Sequence, residues 1–537
     1  MKGFCRFDES YGTISQNMKS TIDINEQFQD AIKLIDTRKN VFVTGKAGTG
    51  KSTLLRYILS QKTENVVTLA PTGVAAVNIA GQTIHSFFRF RPDITVEKVK
   101  KDYKKIRSAD LYNKMDLLII DEISMVRADL FDCMDTFLRM HGPKKRFPFG
   151  GVQLLFFGDL YQLPPVVTYQ EKEMFTSFYH SPYFFDAIGF SDLRIEIIEL
   201  EKIYRQRDET FIRILNGIRN RSIDDDLLSR LNRRVESGFV PAGNESYIYL
   251  VTTNKRADEI NLEKISRLKG KAWTFDGKIT GEFDRKTLPA PEKLTVKVGA
   301  QVMLTNNDRL GRWINGTVGQ IEGIKRTEEG ECVRVKIETG DIVDVWSYRW
   351  DMFRYVYRPH THKIESETTG TFTQFPMILA WAITIHKSQG KTFERMIVDM
   401  GSGAFAHGQT YVAISRATNL TGLVLIKPIE RKHLLLDYRV VKFLTGFRYD
   451  KSEKNIPLDK KIALVQEAIA HHQTLVIEYL KANDEKSERR IHPKHVGTME
   501  YLGKSFMGVR AYDELRGVER VFRLDRMLSL QILEIEK

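Results

Sequence analysis

The stretch NVFVTGKAGTGKST (40–53) decides the fold of the first part of the chain. Its apolar beginning has the length of a buried β-strand, and the following GKAGTGKS fits the pattern Gly-x-x-x-x-Gly-Lys-Ser of a phosphate-binding loop. Glycines allow the backbone N–H groups of such a loop to face phosphate oxygens at the start of a helix. The stretch therefore predicts a strand, a loop and a helix that together bind a nucleotide.

The residues of this loop have separate expected tasks. Lys51 is expected to hold the β- and γ-phosphates, and Ser52 is expected to ligate Mg²⁺. The other loop positions predicted to contact the nucleotide are Gly45, Gly48, Thr49, Gly50 and Thr53. The alternative is a glycine-rich strand–helix turn without a nucleotide.

Three more apolar runs of strand length follow: NVVTLAPTG (65–73), DLLIIDE (116–122) and VQLLFFGD (152–159). They alternate with stretches of helical spacing, which predicts an α/β domain with a buried parallel sheet and ligands at the carboxyl ends of its strands. Asp121 is expected to hold Mg²⁺ through its water shell, and Glu122 is expected to orient the attacking water as a general base. The predicted chemistry is binding and hydrolysis of ATP.

Length and charge limit the remaining choices. The chain of 537 residues is long enough for about three to four domains. Its formal net charge of +13 favours an anionic partner, nucleic acid before a membrane, although a merely soluble basic enzyme is the alternative. The three cysteines form no Cys-x-x-Cys pair, which argues against a disulfide framework or a structural zinc site and for a reducing compartment. Residues 1–22 lack the apolar core of a signal peptide and are expected to form a mobile arm.

A second α/β block is predicted from residue 201, because SYIYLVTTN (246–254) and AWAITIHKSQGKTFE (380–394) again end apolar runs in polar residues. Between them, residues 300–375 alternate with period two and turn often, which predicts a small β-barrel inserted in this block. The predicted boundaries are 23–200 for the first block, with a basic insertion at 89–112, then 201–445 for the second block, 446–460 for a polar linker and 461–537 for a C-terminal module.

Two arginines are candidates for the transition-state contacts of a nucleotide motor. Two lobes that close on one nucleotide must bring cations to the charge that develops on the transferred phosphate. Arg205 lies just before an amphipathic helix, and Arg416 lies in TYVAISRATN. An arginine at such an end is more commonly a solvated charge, so the pattern alone leaves both interpretations open.

Seven short stretches follow one another in the order of known helicase motifs. They are INEQ (24–27), APTGVAAVNIAGQTIHSFF (70–88), IIDEISMV (119–126), GDLYQLPPV (158–166), IYRQ (203–206), AITIHKSQGKTFE (382–394) and YVAISRA (411–417). In this combination the chain resembles the PIF-family DNA helicases of superfamily 1, which are kin to RecD-like helicases. The resemblance covers residues 22–437.

The resemblance implies a fold and a set of nucleotide contacts. The fold would be two RecA-like P-loop lobes, with a small wedge insertion at 89–112 in the first and an SH3-like β-barrel insertion at 300–375 in the second. Arg205 and Arg416 would be the arginines that the far lobe supplies. Gln27 would recognise adenine, Gln162 would sense the γ-phosphate, and Gln389 and Gly390 would approach the nucleotide.

The resemblance also implies a DNA track. The residues expected to contact single-stranded DNA are Pro71, Thr72, Gly73, His85, Phe87, Thr384, His386 and Lys387. Stacking faces and phosphate donors of this kind suit sequence-tolerant binding of a single strand. His85 could instead be a buried histidine whose hydrogen bonds are satisfied within the protein.

The C-terminal module resembles a WYL domain, a small Sm-like β module. The similar stretches are EYLKANDEKSERRIHPKHV and GKSFMGVRAYDELRGVERVFRLDRM, although the namesake Trp-Tyr-Leu is Ser505-Phe506-Met507 here. Arg490, Arg510, Arg523 and Arg526 are predicted to form a basic pocket for a nucleic-acid strand or a nucleotide. The alternative is a solvated face on a docking module.

Together these features predict a monomeric, cytoplasmic bacterial DNA helicase that uses ATP and Mg²⁺ and has no membrane partner. Membership of the family implies 5′→3′ movement on single-stranded DNA. The expected partners are single-stranded DNA and duplex DNA with a 5′ tail, with G-quadruplexes and RNA–DNA hybrids as further candidates. The alternatives are a DNA-stimulated ATPase that remodels or senses DNA without unwinding it, and a nucleic-acid-binding regulator with a vestigial ATPase.

Overall fold

The computed structural model describes residues 24–533, apart from 63–64, 107–108, 243–244, 284, 286–287, 329, 402, 483 and 502. The predicted arm at residues 1–22 lies outside the described residues. The chain forms two compact units. The first contains the chain up to Leu215 together with Asp225–Leu435, and the second contains Asn216–Asp224 together with the chain from Leu436 onward.

The first lobe of unit one is built on a six-stranded parallel sheet. Its strands are β1 (Asn40–Gly45), β2 (Val66–Ala70), β3 (Gln82–Thr83), β4 (Leu117–Ile120), β5 (Gln153–Phe157) and β6 (Ile195–Leu200). They lie side by side in the order β3-β2-β4-β5-β1-β6. This confirms the parallel sheet predicted from the apolar runs, and it brings the polar ends of β1, β4 and β5 to one edge.

The first lobe also contains eight α-helices among the described residues. They are α1 (Glu26–Asp36), α2 (Lys51–Gln61), α3 (Gly73–Asn78), α4 (Ile84–Phe88), α5 (Val96–Asp102), α6 (Ala109–Asn113), α7 (Ala128–His141) and α8 (Tyr169–Thr176). Residues of α1 and α2, among them Phe28 and Leu54, pack against Val41 and Leu155 of the sheet. Burial of such side chains contributes about 1.5–3 kcal/mol each.

The predicted basic insertion at 89–112 contains α5 and most of α6. Aromatic side chains join it to the rest of the lobe: Phe90 stacks on Phe88, and Tyr112 meets Phe137 of α7 with ring centroids 4.7 Å apart. The insertion is therefore a helical segment packed on the first lobe.

The second lobe has a smaller parallel sheet. Its strands are β7 (Ile248–Val251), β18 (Ala382–Thr384), β19 (Met396–Asp399) and β20 (Leu423–Leu425), in the order β18-β7-β19-β20. The helices near it in sequence are α9 (Glu209–Arg219), α10 (Asp225–Asn232), α11 (Asn254–Arg267) and α12 (Gln409–Ile414). The apolar run that begins AWAIT thus contains β18, a buried strand at one end of this sheet, and the polar residues HKSQG form the turn after it.

Antiparallel strands occupy the chain between α11 and β18. They are β8 (Trp273–Asp276), β9 (Lys278–Gly281), β10 (Lys293–Val296), β11 (Gln301–Leu304), β12 (Val318–Thr327), β13 (Gly330–Ile337), β14 (Ile342–Trp346), β15 (Tyr348–Arg358), β16 (Lys363–Gln374) and β17 (Met377–Leu379). Five of them form a sheet in the order β14-β13-β12-β11-β17, and three form the sheet β15-β16-β9. This β-rich insertion starts at Trp273, earlier than the predicted residue 300, because β8 and β9 are short strands without a long alternating pattern.

The long hairpin of β15 and β16 reaches the edge of the first lobe's sheet. The Thr68 N–H of β2 donates to Tyr355 Oη at 3.3 Å, and the Tyr355 N–H donates to Gln82 Oε1 at 3.1 Å. The Tyr355 ring also packs edge-to-face on Phe87. Tyr355 therefore fixes the hairpin on strands β2 and β3 of the first lobe.

Unit two contains α13 (Tyr438–Asn455), α14 (Leu458–Ala470) and five antiparallel strands. The strands are β21 (Leu475–Leu480), β22 (Lys486–Tyr501), β23 (Lys504–Asp513), β24 (Val518–Arg523) and β25 (Met527–Ile532), in the order β24-β23-β22-β21-β25. Val465 of α14 lies in a core with Ile477 and Val509 of the strands.

The predicted linker at 446–460 is wrong. Residues 446–455 form the second half of α13, and α14 begins at Leu458. The polar residues in this stretch lie largely on the exposed side of α13, while Ser452 is buried and its hydroxyl donates to the Met527 carbonyl at 2.8 Å. Among the described residues, no helix is both long enough and apolar enough to span a membrane.

Candidate functional site

The phosphate-binding loop connects β1 to α2 as predicted. Gly48 and Gly50 have φ values of +80° and +88°, a backbone region that glycine adopts without strain. A Cβ atom on Gly48 would lie only 2.5 Å from the Arg205 Cβ, so position 48 needs glycine for space as well as for its backbone conformation. Lys51 Nζ donates to the carbonyls of Gly45 and Lys46 at 2.8 and 3.0 Å, which holds the ammonium over the loop.

A cavity of about 650 Å³ lies over this loop, and we call it the interlobe cavity. Its lining residues come from both lobes: Phe28, Ala47, Gly48, Thr49, Gly50, Lys51, Ser52, Thr53, Glu122, Gln162, Tyr204, Arg205, Gly390, Thr392 and Arg416. The structure thus brings together most of the residues that the sequence predicts for the nucleotide. The volume suits a small-molecule ligand.

Two carboxylates follow β4 at the floor of the site. Burial raises the pKa of Asp121, and burial together with the charge of Asp121 raises the pKa of Glu122 to about 7. Glu122 lies in the cavity lining, and its Oε2 accepts from Gln389 Nε2 at 3.3 Å. The same amide group is 3.4 Å from Gln162 Oε1. A carboxylate with such a pKa is suited to accept a proton near neutral pH.

Asp121 and Ser52 are chemically suited to Mg²⁺. Mg²⁺ is usually bound by one or two carboxylates together with substrate phosphates. The buried Asp121 carboxylate would gain from a nearby cation, and Ser52 lines the same cavity as Lys51. Among the described residues, no group of three or more His, Cys, Asp or Glu side chains is placed to hold a metal ion by itself.

Two arginines approach the cavity close to each other. Arg416 is 1% exposed, and burial together with the charge of Arg205 lowers its pKa to about 9. Its guanidinium donates to the carbonyls of Val412 and Lys391 and to the Ser415 hydroxyl, all uncharged acceptors. Burial likewise lowers the pKa of Arg205, whose Nη1 donates to the Ser415 carbonyl at 3.1 Å. An anion between these two cations would relieve both burial costs.

Three aromatic residues of the site were not predicted from the sequence. Phe28 and Tyr204 flank the loop, since a Cβ on Gly50 would lie 3.1 Å from Phe28 Cζ and 3.8 Å from Tyr204 Cε2. Tyr411 of α12 accepts a hydrogen bond from the Ala47 N–H at 2.9 Å, which connects the second lobe directly to the phosphate-binding loop. The sequence signal that could have identified them is their position in the stretches INEQF, IYRQ and TYVAISR, which contain or adjoin helicase motifs.

Gln27 lies beside the cavity rather than in its lining. Its Oε1 accepts from the Glu201 N–H at 2.8 Å, while the neighbouring Phe28 contributes a ring to the lining. Flat aromatic faces at this end of the cavity suit a base ring, so Gln27, Phe28 and Tyr204 form a candidate adenine edge.

Six of the residues predicted to contact DNA lie at least partly on the surface. Pro71, Thr72, Gly73 and His85 are half-buried in the first lobe, and His386 and Lys387 are exposed in the turn after β18. Thr72 also caps α3, because its hydroxyl accepts from the Ala75 N–H at 3.3 Å. Partial loss of water around the ring lowers the pKa of the half-buried His85 and, although that residue is exposed, of His386, which favours the neutral imidazole in both.

The predictions for Phe87 and Thr384 as DNA contacts are wrong. Phe87 is 3% exposed and packs edge-to-face on Phe88, Tyr112 and Tyr355, so it has no free face for a base. Thr384 is 4% exposed, and its hydroxyl accepts from the Lys387 N–H at 3.3 Å. Both side chains stabilise the local structure beneath the surface that carries His85 and His386.

The comparisons with known proteins fit this geometry. A family model described as PIF1-like helicase matches residues 22–227, and a WYL domain model matches residues 460–532. The ATP-dependent DNA helicase Pif1 of Campylobacter jejuni is 31% identical over 421 residues, which cover 73% of this chain and 89% of that protein. The chain belongs to the PIF1-like helicase family.

Other PIF1-like helicases extend the comparison. The ATP-dependent DNA helicase PIF1 of Emericella nidulans is 30% identical over 476 residues, and the match covers 76% of this chain but 61% of that relative's length. The crystal structure of Bacteroides sp Pif1 in complex with ADP-AlF4 has a TM-score of 0.73 and 36% identity, covering 80% of this chain and 98% of that one. Bacteroides Pif1 bound to ssDNA has a TM-score of 0.57 and 36% identity, covering 79% and 97%. The two parallel sheets of unit one are thus the RecA-like core of a PIF1-like helicase.

The WYL domain of this PIF1-like helicase has a basic cavity, but the predicted arginines do not form it together. A cavity of about 310 Å³ is lined by Tyr479, Lys481, Ala482, Arg489, Arg516, Arg520, Val521, Phe522 and Arg526. Of the four predicted arginines, Arg526 contributes to this lining. Arg490 and Arg510 are exposed, and Arg523 forms a two-point ion pair with Asp525 over the Phe506 ring.

Strand alternation explains this correction. Successive side chains of β22 point to opposite faces, so Arg489 is buried against Asp513 while Arg490 faces outward. Three lining arginines, Arg516, Arg520 and Arg526, form no ion pair with any described residue. The basic cavity therefore holds guanidinium groups whose charge is not neutralised by a neighbouring carboxylate.

Proposed function

We propose that this chain is an ATP-driven DNA helicase that moves 5′→3′ along single-stranded DNA and unwinds duplex DNA. The observation that carries the proposal is the interlobe cavity, to which the first lobe contributes Lys51 and Glu122 and the second lobe contributes Arg416. A ligand that binds residues of two lobes at once favours the state in which those lobes are close together. Binding and loss of the ligand can then drive relative movement of the lobes.

Each polar group of the cavity has a task in the proposed cycle. Lys51 exchanges its two carbonyl acceptors for phosphate oxygens, and Arg205 and Arg416 gain the anionic partner that their burial requires. Glu122 takes a proton from the attacking water, for which a pKa near 7 is suitable. Mg²⁺, with Ser52 and Asp121 as proposed ligands, would neutralise phosphate charge when bound.

The two glutamines beside Glu122 are proposed to report the state of the phosphate. The Gln389 amide nitrogen lies within hydrogen-bond distance of Gln162 Oε1 and of Glu122 Oε2. Gln389 belongs to the turn that carries His386 and Lys387. A change at the γ-phosphate can therefore be passed to a surface proposed to hold DNA. Gly390 of the same turn lines the interlobe cavity and is proposed to contact the nucleotide.

Single-stranded DNA is proposed to bind the surface formed by Pro71, Thr72, Gly73 and His85 of the first lobe and His386 and Lys387 of the second. The net charge of +13 supports an anionic partner. A relative from Bacteroides has been crystallised with single-stranded DNA, and the match to it covers 79% of this chain. The 5′→3′ polarity rests on the family resemblance.

The finer architecture and substrates are also proposals. We assign the wedge role to the helical segment 89–112 and the SH3-like role to the β-rich insertion, because each occupies the position that the resemblance assigns to it. A monomer acting on duplexes with a 5′ tail, on G-quadruplexes and on RNA–DNA hybrids is the proposed working form. A DNA substrate and the free thiols of Cys133 and Cys332 agree with a bacterial cytoplasm.

A second candidate function is a DNA-stimulated ATPase that moves on or senses DNA without unwinding it. The basic cavity of the WYL domain favours this alternative, since arginines without carboxylate partners suit a phosphate-bearing strand or nucleotide. A ligand bound there would regulate the motor.

Strand separation with purified protein and Mg·ATP tests the proposal. Two duplexes that differ only in carrying a 5′ or a 3′ single-stranded tail are compared, and the Lys51→Ala variant serves as the control for ATP dependence. Unwinding of the 5′-tailed duplex alone is the expected result. Unwinding of the 3′-tailed duplex would refute the polarity, and DNA-stimulated ATPase without any unwinding would favour the second candidate.

A further inference from the structure

Lys391 follows Gly390 in the turn after β18, and its side chain is directed away from the interlobe cavity. Gly390 and Thr392 line the cavity, whereas Lys391 Nζ donates to Asn315 Oδ1 at 2.5 Å. Burial lowers the pKa of Lys391 to about 8, and no carboxylate among the described residues forms an ion pair with it. A cation that is half-buried and faces a neutral amide costs folding free energy, which makes this lysine a candidate for a functional role.

The partner of Lys391 lies in the loop between β11 and β12, which is held by internal hydrogen bonds. The Asn315 N–H donates to Asn307 Oδ1 at 2.8 Å, and the nearby Trp313 indole donates to Asn306 Oδ1 at 3.0 Å. Gly316 packs on the aliphatic part of the lysine, since a Cβ there would lie 3.3 Å from Lys391 Cγ. Asn315 is therefore a fixed acceptor for the ammonium group.

Asn315 also contacts the first lobe. Its Nδ2 donates to Asn78 Oδ1 at 3.1 Å, and Asn78 is the last residue of α3. The other end of this helix is capped by Thr72, one of the proposed DNA contacts. The three side chains thus connect the turn after β18, the β-rich insertion and a helix of the first lobe.

The same lysine is tied to the nucleotide side through its backbone. Arg416 Nη1 donates to the Lys391 carbonyl at 3.3 Å, and the Phe393 N–H donates to the Arg416 carbonyl at 2.9 Å. If the Arg416 guanidinium turns to a phosphate oxygen, the Lys391 carbonyl loses this donor. Nucleotide binding therefore changes the restraints on the turn that positions the lysine.

We propose that Lys391 is a positioning residue which, together with Asn315 and Asn78, forms an interlobe clasp that couples nucleotide binding to the grip on single-stranded DNA. The inference rests on the proposed function, because coupling requires both ligands. Coupling between two sites is reciprocal, so the nucleotide strengthens DNA binding by the same factor as DNA strengthens nucleotide binding. Loss of the clasp reduces that factor and leaves each separate site in place.

The test measures the Kd of a fluorescent single-stranded oligonucleotide by anisotropy, with and without Mg²⁺ and a non-hydrolysable ATP analogue. The ratio of the two Kd values is the coupling factor, which is about 5–150 in coupled proteins. We expect a factor of that size for the wild-type chain and a factor at least about threefold smaller for Lys391→Met. Basal ATPase without DNA should stay within about twofold, because the lysine side chain lies outside the cavity lining. Lys336→Met, at an exposed position of β13, is the matched control and should keep the wild-type factor.

Two variants of Asn78 separate the clasp from a merely structural effect. Asn78→Asp retains an oxygen acceptor for Asn315 and should keep the coupling factor, whereas Asn78→Ala removes the acceptor and should reduce the factor as Lys391→Met does. An unchanged factor in Lys391→Met or in Asn78→Ala would overturn the clasp. The clasp would also be overturned if either variant weakened DNA binding equally with and without the ATP analogue. A wild-type chain that neither hydrolyses ATP nor binds DNA would instead overturn the proposed function itself, and the clasp with it.

Discussion

The proposed general base should give ATP hydrolysis a pH dependence centred near neutrality. Burial and the charge of Asp121 raise the pKa of Glu122 to about 7. The carboxyl must be ionised to accept a proton from water, so activity should be present above this pH and lost as the pH falls through it. A single group is about one-eleventh ionised one pH unit below its pKa and about ten-elevenths ionised one unit above, so kcat/KM should rise about tenfold between pH 6 and pH 8.

The assay is steady-state ATP hydrolysis at low ATP over pH 5.5–8.5, because kcat/KM reports the ionisation of the free enzyme. Glu122→Gln should lower kcat by about 10²–10⁴ and remove the rise near pH 7. Glu97→Gln is the matched control, since Glu97 is an exposed carboxylate of α5 and should leave the profile unchanged. A flat wild-type profile, or the same rise in Glu122→Gln, would refute the assignment of Glu122 as the base.

Three further substitutions test the other assignments. Lys51→Ala should reduce ATP turnover to background while retaining measurable DNA binding in an anisotropy assay; retained turnover would contradict the phosphate contact. His386→Ala should lower DNA-stimulated ATPase more than basal ATPase, and an equal loss in both rates would place His386 on the nucleotide side. Phe87→Ala should destabilise the first lobe by about 3–5 kcal/mol in a denaturant titration, as expected for an aromatic core residue. A loss of DNA affinity without a loss of stability would restore Phe87 as a DNA contact.

The sequence predicted which residues of the nucleotide half come together in space, for a physical reason. In a parallel sheet the strands end at a common edge, so an apolar run followed by polar residues locates both an element and a ligand-binding position. Lys51, Glu122, Gln162 and Arg416 line one cavity although Arg416 lies 365 residues beyond Lys51 in the chain. The order of the motifs was enough to predict that these four residues share one site.

The errors arose where the direction of a side chain decides its role. Phe87 and Thr384 lie within stretches that resemble DNA-contacting motifs, but spacing does not show which side of a short helix or turn faces inward. Arg490 and Arg489 are neighbours on β22, and strand alternation assigns them opposite faces that a list of arginines cannot distinguish. The sequence predicted Gln27 alone at the adenine edge. Phe28 and Tyr204 both come close to Gly50 of the loop only when the chain is folded.

The hydrogen bond between Tyr355 and Gln82 joins residues that are 273 positions apart. At a synthesis rate of about 5–20 residues per second, Tyr355 leaves the ribosome roughly 14–55 s after Gln82. All six strands of the first sheet precede residue 201, so this lobe can fold during synthesis while its outer strand still lacks the hairpin. That outer strand is only two residues long, and a short edge is a poor template for pairing with another chain. Until the hairpin is made, β3 therefore offers another chain few backbone groups with which to pair.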